Sequence, residues 1–218
     1  TTGYIRISAL YVNTPEQFRE ALTALESQGV ENYIFDLRGN TGGSLDAADQ
    51  IISFLIPRGV YGYKITSTET VSLSSAGTHE LTVSSVTLIN SETSGEAELI
   101  AGALQEVKKT TVVGVKSAGR GMVQEYFTLS ADGAALKLSV ASLTLSSGAT
   151  LDSVGITPSV ELALTDEETL RLPFLTESDD PQLKAALTVL KGGAVTNSTT
   201  TTAAQTTETT AAGNAAQG

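Results

Sequence analysis

The residues best placed to do chemistry lie in Asp36-Leu37-Arg38-Gly39-Asn40-Thr41-Gly42-Gly43. A short apolar run, Tyr33-Ile34-Phe35, ends in two opposite charges, and a glycine-rich loop then opens a helix at about Ser44. Backbone N–H groups in such a loop can face outward and hold an anion or a developing oxyanion. The same residues also read as a tight strand-to-helix turn closed by an Asp36–Arg38 ion pair, and the pattern allows both. A phosphate-binding P-loop is disfavoured, because no Gly-Lys-Ser/Thr follows. Elsewhere the chemistry is sparse. His79 is the single histidine, stands in Gly77-Thr78-His79-Glu80 without His or Cys neighbours, and reads as an exposed loop residue. The chain has no Cys, which removes disulfides, thiolate metal sites and Cys nucleophiles together. No metal ligand set assembles by spacing, so neither a metal nor another cofactor is expected.

The elements that must position this loop alternate between strand and helix. Tyr4 to Val12 reads as a strand with Ile5, Ile7 and Ala9 on one face. Thr14-Pro15-Glu16-Gln17 supplies an N-cap, a proline at the first helical position and a capping-box Gln. The helix that follows carries Phe18, Ala21, Leu22 and Leu25 on one stripe and ends near Gly29. The near-continuous run at 33–37 suits a strand buried on both faces. A helix from about Ser44 to Ile56 turns Leu45, Ala48, Ile51, Ile52 and Leu55 inward. Segment 60–90 holds short β-type runs ending in Val86-Thr87-Leu88-Ile89-Asn90, followed by a helix from Glu96 to Val107 and a buried strand at Thr111–Gly114. From Met122 to Leu145 the pattern is strand, Asp132-Gly133 turn, strand, strand. A helix from Asp180-Pro181 to Lys191, bearing Leu183, Ala186, Leu187 and Leu190, closes the domain. This β-α-β-α progression predicts an α/β fold, a sheet flanked by helices with antiparallel β additions.

Composition bounds the partners. The 218 residues carry 13 Lys+Arg against 24 Asp+Glu, a net charge of −11, which repels phosphate backbones and anionic lipid. Nucleic acid is therefore not an expected partner. No apolar run approaches the ~18–20 residues of a membrane span. From Ala194 to Gly218, 16 of 25 residues are Thr or Ala, too little apolar bulk to offset the entropy of ordering them. The division predicted is a core at 1–193 and a flexible tail at 194–218, with a formal glycosylation sequon at Asn197-Ser198-Thr199. A start at Thr1, without Met or a signal-peptide pattern, reads as a fragment of something longer.

The octapeptide at 36–43 resembles the D-L-R-x-N-x-G-G signature of the carboxyl-terminal processing peptidases, the tail-specific serine peptidases. Gly3-Tyr4-Ile5-Arg6-Ile7, Asn90 with Glu98-Leu99-Ile100-Ala101-Gly102-Ala103-Leu104-Gln105, Gly114 to Gln124, Gly155-Ile156-Thr157-Pro158 and Asp180-Pro181-Gln182-Leu183 resemble further family segments in order and spacing. The resemblance covers about residues 3–192 and implies a ClpP/crotonase-like core, here without the PDZ module that precedes it in relatives. It also implies a bacterial cell-envelope or extracellular location, a polypeptide or protein C-terminal segment as partner, and compatibility with a homo-oligomer.

Two positions depart from the family pattern. Where relatives carry S-A-S-A-S-E, this chain has Thr93-Ser94-Gly95-Glu96-Ala97-Glu98, so the nucleophile position falls on Gly95. The catalytic Lys position falls on Arg120, while the assisting Gln is kept as Gln124. A Ser–Lys dyad needs a hydroxyl that attacks and an amine that can lose its proton. Gly95 has no side chain, and a guanidinium stays protonated below about pH 12. Loss of the nucleophile alone typically costs about 10⁶-fold in turnover. Glu96 adds a carboxylate beside the place where an oxyanion would develop. Arg38, Asn40, Gly42 and Gly43 remain as in the family, and substrate held as an extended strand depends mainly on main-chain groups. The expected function is a non-catalytic, peptidase-like domain that binds polypeptide segments or serves as a scaffold. Two alternatives remain: an active serine endopeptidase using Ser94, and a purely structural domain whose cleft is closed.

Overall fold

The computed structural model describes residues 1–129 and 133–195. Asp132 of the predicted turn, the sequon and most of the predicted tail lie outside these residues. The elements in chain order are β1 (Thr2–Arg6), α1 (Thr14–Ser27), β2 (Asn32–Asp36), α2 (Leu45–Leu55), β3 (Gly59–Ile65), β4 (Thr70–Ser75) and β5 (Ser84–Ile89). They continue with α3 (Glu96–Val107), β6 (Thr111–Gly114), β7 (Met122–Thr128), β8 (Ala135–Leu145), β9 (Val160–Glu161), α4 (Asp166–Arg171), a 3₁₀ turn at Leu172–Phe174 and α5 (Pro181–Leu190). A five-stranded parallel sheet has the order β1-β2-β5-β6-β9, and a four-stranded antiparallel sheet has the order β4-β3-β8-β7. The α/β class with antiparallel additions is as the sequence predicts.

The apolar run of β2 follows from its interior place in the parallel sheet, between β1 and β5. Successive side chains alternate between faces. Tyr33 and Phe35 enter one core with Phe18 and Leu22 of α1, the inner face of α2, and Leu99 and Ile100 of α3. Ile34 points the other way, with Val86, Leu88 and Val113, onto Ala185 and Ala186 of α5. Helices α2 and α3 pack against each other and against the antiparallel sheet, placing Tyr61, Leu143 and Leu145 in the first core. Helix α2 starts where predicted: Ser44 is its N-cap, and its hydroxyl accepts the Ala47 N–H at 3.2 Å.

Three local expectations are corrected. The first strand ends at Arg6 rather than Val12, because beyond Ile7 the chain turns from β2 to the glycine loop. Leu10 N–H donates to Gly42 O (3.2 Å) and Leu10 O accepts from Ser44 N–H (2.8 Å). The inward face consequently shifts from Ala9 to Leu10, which is buried. The N-cap position of helix α1 is Asn13, whose side chain makes no capping hydrogen bond, rather than Thr14. The Thr14 hydroxyl instead ties the preceding loop, accepting from Tyr11 N–H and donating to Ala9 O. The last two predicted strands of the 122–145 segment are one strand, β8. Its first part pairs with β7 and its end with β3, and the only irregularity is a bulge opposite Val123/Gln124.

Candidate active-site groove

Three loops leave the carboxyl ends of β2, β5 and β6, the edge at which open α/β sheets bind ligands. The first is held from beneath. Arg38, 2% exposed, donates from Nε to Asp36 Oδ1 (2.9 Å) and from Nη2 to Asp36 Oδ2 (2.7 Å). It also reaches Asp180 Oδ2 (2.8 Å) and Gln182 Oε1 (3.0 Å). Burial opposes its charge, but hydrogen bonds and attraction from Asp36 and Asp180 outweigh burial and hold its pKa above the usual arginine value. Tyr4 donates to Asp36 Oδ2 at 2.6 Å; burial, then the Asp36 charge, raise its pKa. Asp180 also caps α5 through the N–H groups of Gln182 and Leu183. The expected Asp36–Arg38 pair is thus part of a network joining β2 to α5.

Asn40 is fully buried as well. Its Nδ2 donates to Ile7 O (2.8 Å), its Oδ1 accepts from Gly42 N–H (2.9 Å), and its carbonyl accepts from Ser94 N–H (3.0 Å). The loop after β5 is tied across to the first loop: Asn90 Oδ1 accepts from Gly39 N–H, and Thr93 Oγ1 donates to Leu37 O. Glu98, at the third position of α3 and fully buried, joins the remaining pieces. Its carboxylate accepts from the N–H groups of Gly95 (2.9 Å), Gly119 (2.7 Å) and Arg120 (2.9 Å) and from the Ser117 hydroxyl. Glu98 and Ser117 were not singled out from sequence as site-forming. The available signal was the Gly95-x-x-Glu98 spacing, in which a third-position Glu reaches back to the N-cap N–H.

Above this framework lies a groove of about 850 Å³. It is lined by Gly42, Gly43, Ser94, Gly95, Glu96 and Arg120, with Gln124 on β7, and its rim includes the exposed Tyr11 and Val12. The structure therefore gathers seven of the nine expected site residues, and leaves Arg38 and Asn40 beneath the loop as its supports. Gly43 has φ 146°, and a Cβ there would stand 2.2 Å from Leu10 O, so only glycine lets the chain pass. Gly95 stands at the N-terminus of α3 with φ 62° and ψ −126°. Glycine adopts this conformation freely, whereas a residue with a side chain rarely does. A Cβ there would meet nothing closer than 3.7 Å.

Two charged side chains of the lining, Glu96 and Arg120, follow from the loops that meet at Gly95. Glu96 Oε2 accepts the Gly43 N–H at 2.9 Å, so a carboxylate occupies a donor that could otherwise face an oxyanion. Arg120 is exposed and its guanidinium forms no ion pair among the described residues. Ser94 is buried, lines the groove, and its hydroxyl makes no hydrogen bond to a described residue. Lys137, also in the lining, lies over the Tyr126 ring at 5.4 Å from its centroid. His79 is remote from the groove lining and pairs with Glu26 at 2.7 Å. Among the described residues no group of three or more His, Asp or Glu is arranged to hold a metal, and no helix is long and apolar enough to cross a membrane.

Loops at the carboxyl ends of a parallel sheet, glycine N–H groups and a positive-φ turn opening a helix make a ligand groove of the α/β class. The profile of peptidase family S41 matches residues 1–162, and the chain belongs to that family. It is 34% identical over 194 residues to a carboxyl-terminal-processing protease of Synechocystis, covering 88% of this chain and 44% of that protein. It is 32% identical over 180 residues to the carboxy-terminal processing protease CtpA of Bacillus subtilis, covering 79% of this chain and 37% of that protein. Among solved structures, a photosystem II D1 C-terminal processing protease superposes with a TM-score of 0.68 at 29% identity, over 74% of this chain and 42% of that one. The chain thus spans less than half the length of these relatives. It is a C-terminal processing protease-like domain.

Proposed function

We propose that this domain is a non-catalytic member of its family that holds polypeptide segments as extended strands in the groove. The observation that carries the reading is the pairing of Gly95 at the helix-opening turn with Glu96 on the Gly43 N–H. The first removes the attacking oxygen, and the second sets a negative charge where the transition state would place another. Arg120 in the same lining adds a cation that cannot serve as a base. Open volume beside Gly42, Gly43 and Gly95 speaks for binding rather than for a closed structural domain. Ser94 is not favoured as a replacement nucleophile, since no amine or carboxylate accepts its proton among the described residues. The envelope or extracellular location implied by the resemblance remains part of this reading.

The test pairs a binding assay with a digestion assay. Fluorescein-labelled casein should bind the wild-type protein and remain intact. Gly95→Ser with Arg120→Lys should cleave it above background, and Glu96→Ala added to that pair should raise cleavage further. Casein digestion by the wild type, lost in Ser94→Ala, would sink the non-catalytic reading. Failure of casein to bind would sink the polypeptide-holding reading.

A further inference from the structure

Helix α4 and the 3₁₀ turn that follows it form a ridge in which no residue is buried. Leu170 is 82% exposed and Phe174 80%, four positions apart along it. Two large apolar side chains on an element that buries nothing mark a surface that docks. Asp166 and Glu167 stand four and three positions before Leu170, the spacing that shares a helix face. Asp166 has no ion pair among the described residues, and Glu167 has only the exposed one to Arg171 at 3.5 Å. The ridge is therefore apolar and acidic. Beside it lies a groove of about 720 Å³ between α5 and the segment 176–178. Helix α5 gives this groove Lys184, Leu187, Thr188 and Lys191, one stripe with an apolar residue between two cations. Neither lysine has an ion-pair partner among the described residues, and Glu177 is the single carboxylate of the lining. Leu170 and Phe174 do not enter the groove of their own chain.

We infer that the α4 ridge of one molecule docks in the α5 groove of a second copy, and the reverse, so that two chains form a two-fold dimer. Ridge and groove adjoin in the chain, and a two-fold axis beside them lays each on the other's counterpart, as a self-complementary interface requires. Charge argues for this occupant. At a net −11, two copies repel over most of their surface. Here the carboxylates of one copy meet the lysines of the other. Leu170 and Phe174 supply the apolar contact to Leu187, while Asp166 and Glu167 opposite Lys184 and Lys191 fix the register. The surface is distinct from the glycine-loop groove and does not depend on how that groove is used.

The experiment is sedimentation equilibrium of the full chain at a series of concentrations, and the mass should rise from one chain towards two. Leu170→Ser with Phe174→Ser should raise the dimer dissociation constant about tenfold or more, as loss of central apolar anchors does. Lys184→Glu with Lys191→Glu should be monomeric, and so should Asp166→Lys with Glu167→Lys. An equimolar mixture of these two charge-reversed proteins should associate again, because each ridge then faces a groove of opposite sign. Circular dichroism of every variant should match wild type, which separates lost association from lost folding. A wild-type protein that stays monomeric at every concentration would overturn the inference. So would undiminished dimers in both charge-reversed proteins, or a folded mixture that fails to associate.

Discussion

The two sides of the glycine loop differ in how completely their polar groups are satisfied. Beneath it, Arg38 meets two carboxylates and an amide oxygen, Asn40 uses both ends of its amide, and Glu98 collects four donors. Above it, the Ser94 hydroxyl and the Arg120 guanidinium have no such partners among the described residues, and the Glu96 carboxylate meets a single N–H of them. Unsatisfied groups are costly where water is excluded and cheap where a groove admits it. The lower side is therefore framework, and its residues are those a fold needs whatever happens above. The upper side is where sequence can change without loss of the fold, and it is where Gly95 and Arg120 stand.

The strongest way to break the contrast is Arg38→Ala. It leaves Asp36 and Asp180 buried without their cation, and removing one partner of a buried ion pair typically costs about 3–5 kcal/mol. The urea midpoint should fall accordingly, with loss of the native near-ultraviolet signal at lower denaturant. A stability within about 0.5 kcal/mol of wild type would mean that the lower network is not framework at all.

This contrast was only half legible in the sequence. The parallel core showed itself because strands buried on both faces must be apolar along their length, as in Tyr33-Ile34-Phe35, and because Ser44 and Asp180 announce helix starts. The glycine loop showed itself through Gly42 and Gly43, whose backbone admits no side chain. What stayed hidden were contacts between distant segments. Arg38 pairs with Gln182 across 144 positions, and Glu98 with Ser117 across 19, at distances periodicity does not report. Hence Arg38 and Asn40 were expected to face a substrate, whereas each spends its donors on the framework. Glu96 was placed near the oxyanion position by register alone; that its carboxylate turns back onto Gly43 depends on the φ of Gly42 and the open space beside it.

A milder substitution sharpens the boundary at the turn itself. Gly95→Ala adds a methyl group with no neighbour inside 3.7 Å, so any loss comes from the backbone and not from a clash. A non-glycine residue at φ 62°, ψ −126° is expected to cost about 1–3 kcal/mol. Urea unfolding of the Ala and Ser variants should give similar losses, because the strain is set at Cβ. A Ser variant much less stable than Ala would point to a polar clash above Gly95 instead.

The smallest expected effect on stability is the most discriminating for function. Arg120 contributes its main-chain N–H to the framework, through Glu98, and its side chain to the groove. Substitution by Ala keeps the first and removes the second. Exposed side chains without partners usually change stability by no more than about 0.5 kcal/mol, so the urea curve of Arg120→Ala should overlay that of wild type. The labelled casein of the binding assay should nevertheless bind it less well, and the difference from wild type should shrink as salt rises, since an exposed cation is screened. Should stability fall by several kcal/mol, the side chain would belong to the framework, and the division between the two sides of the loop would have to be redrawn through residue 120.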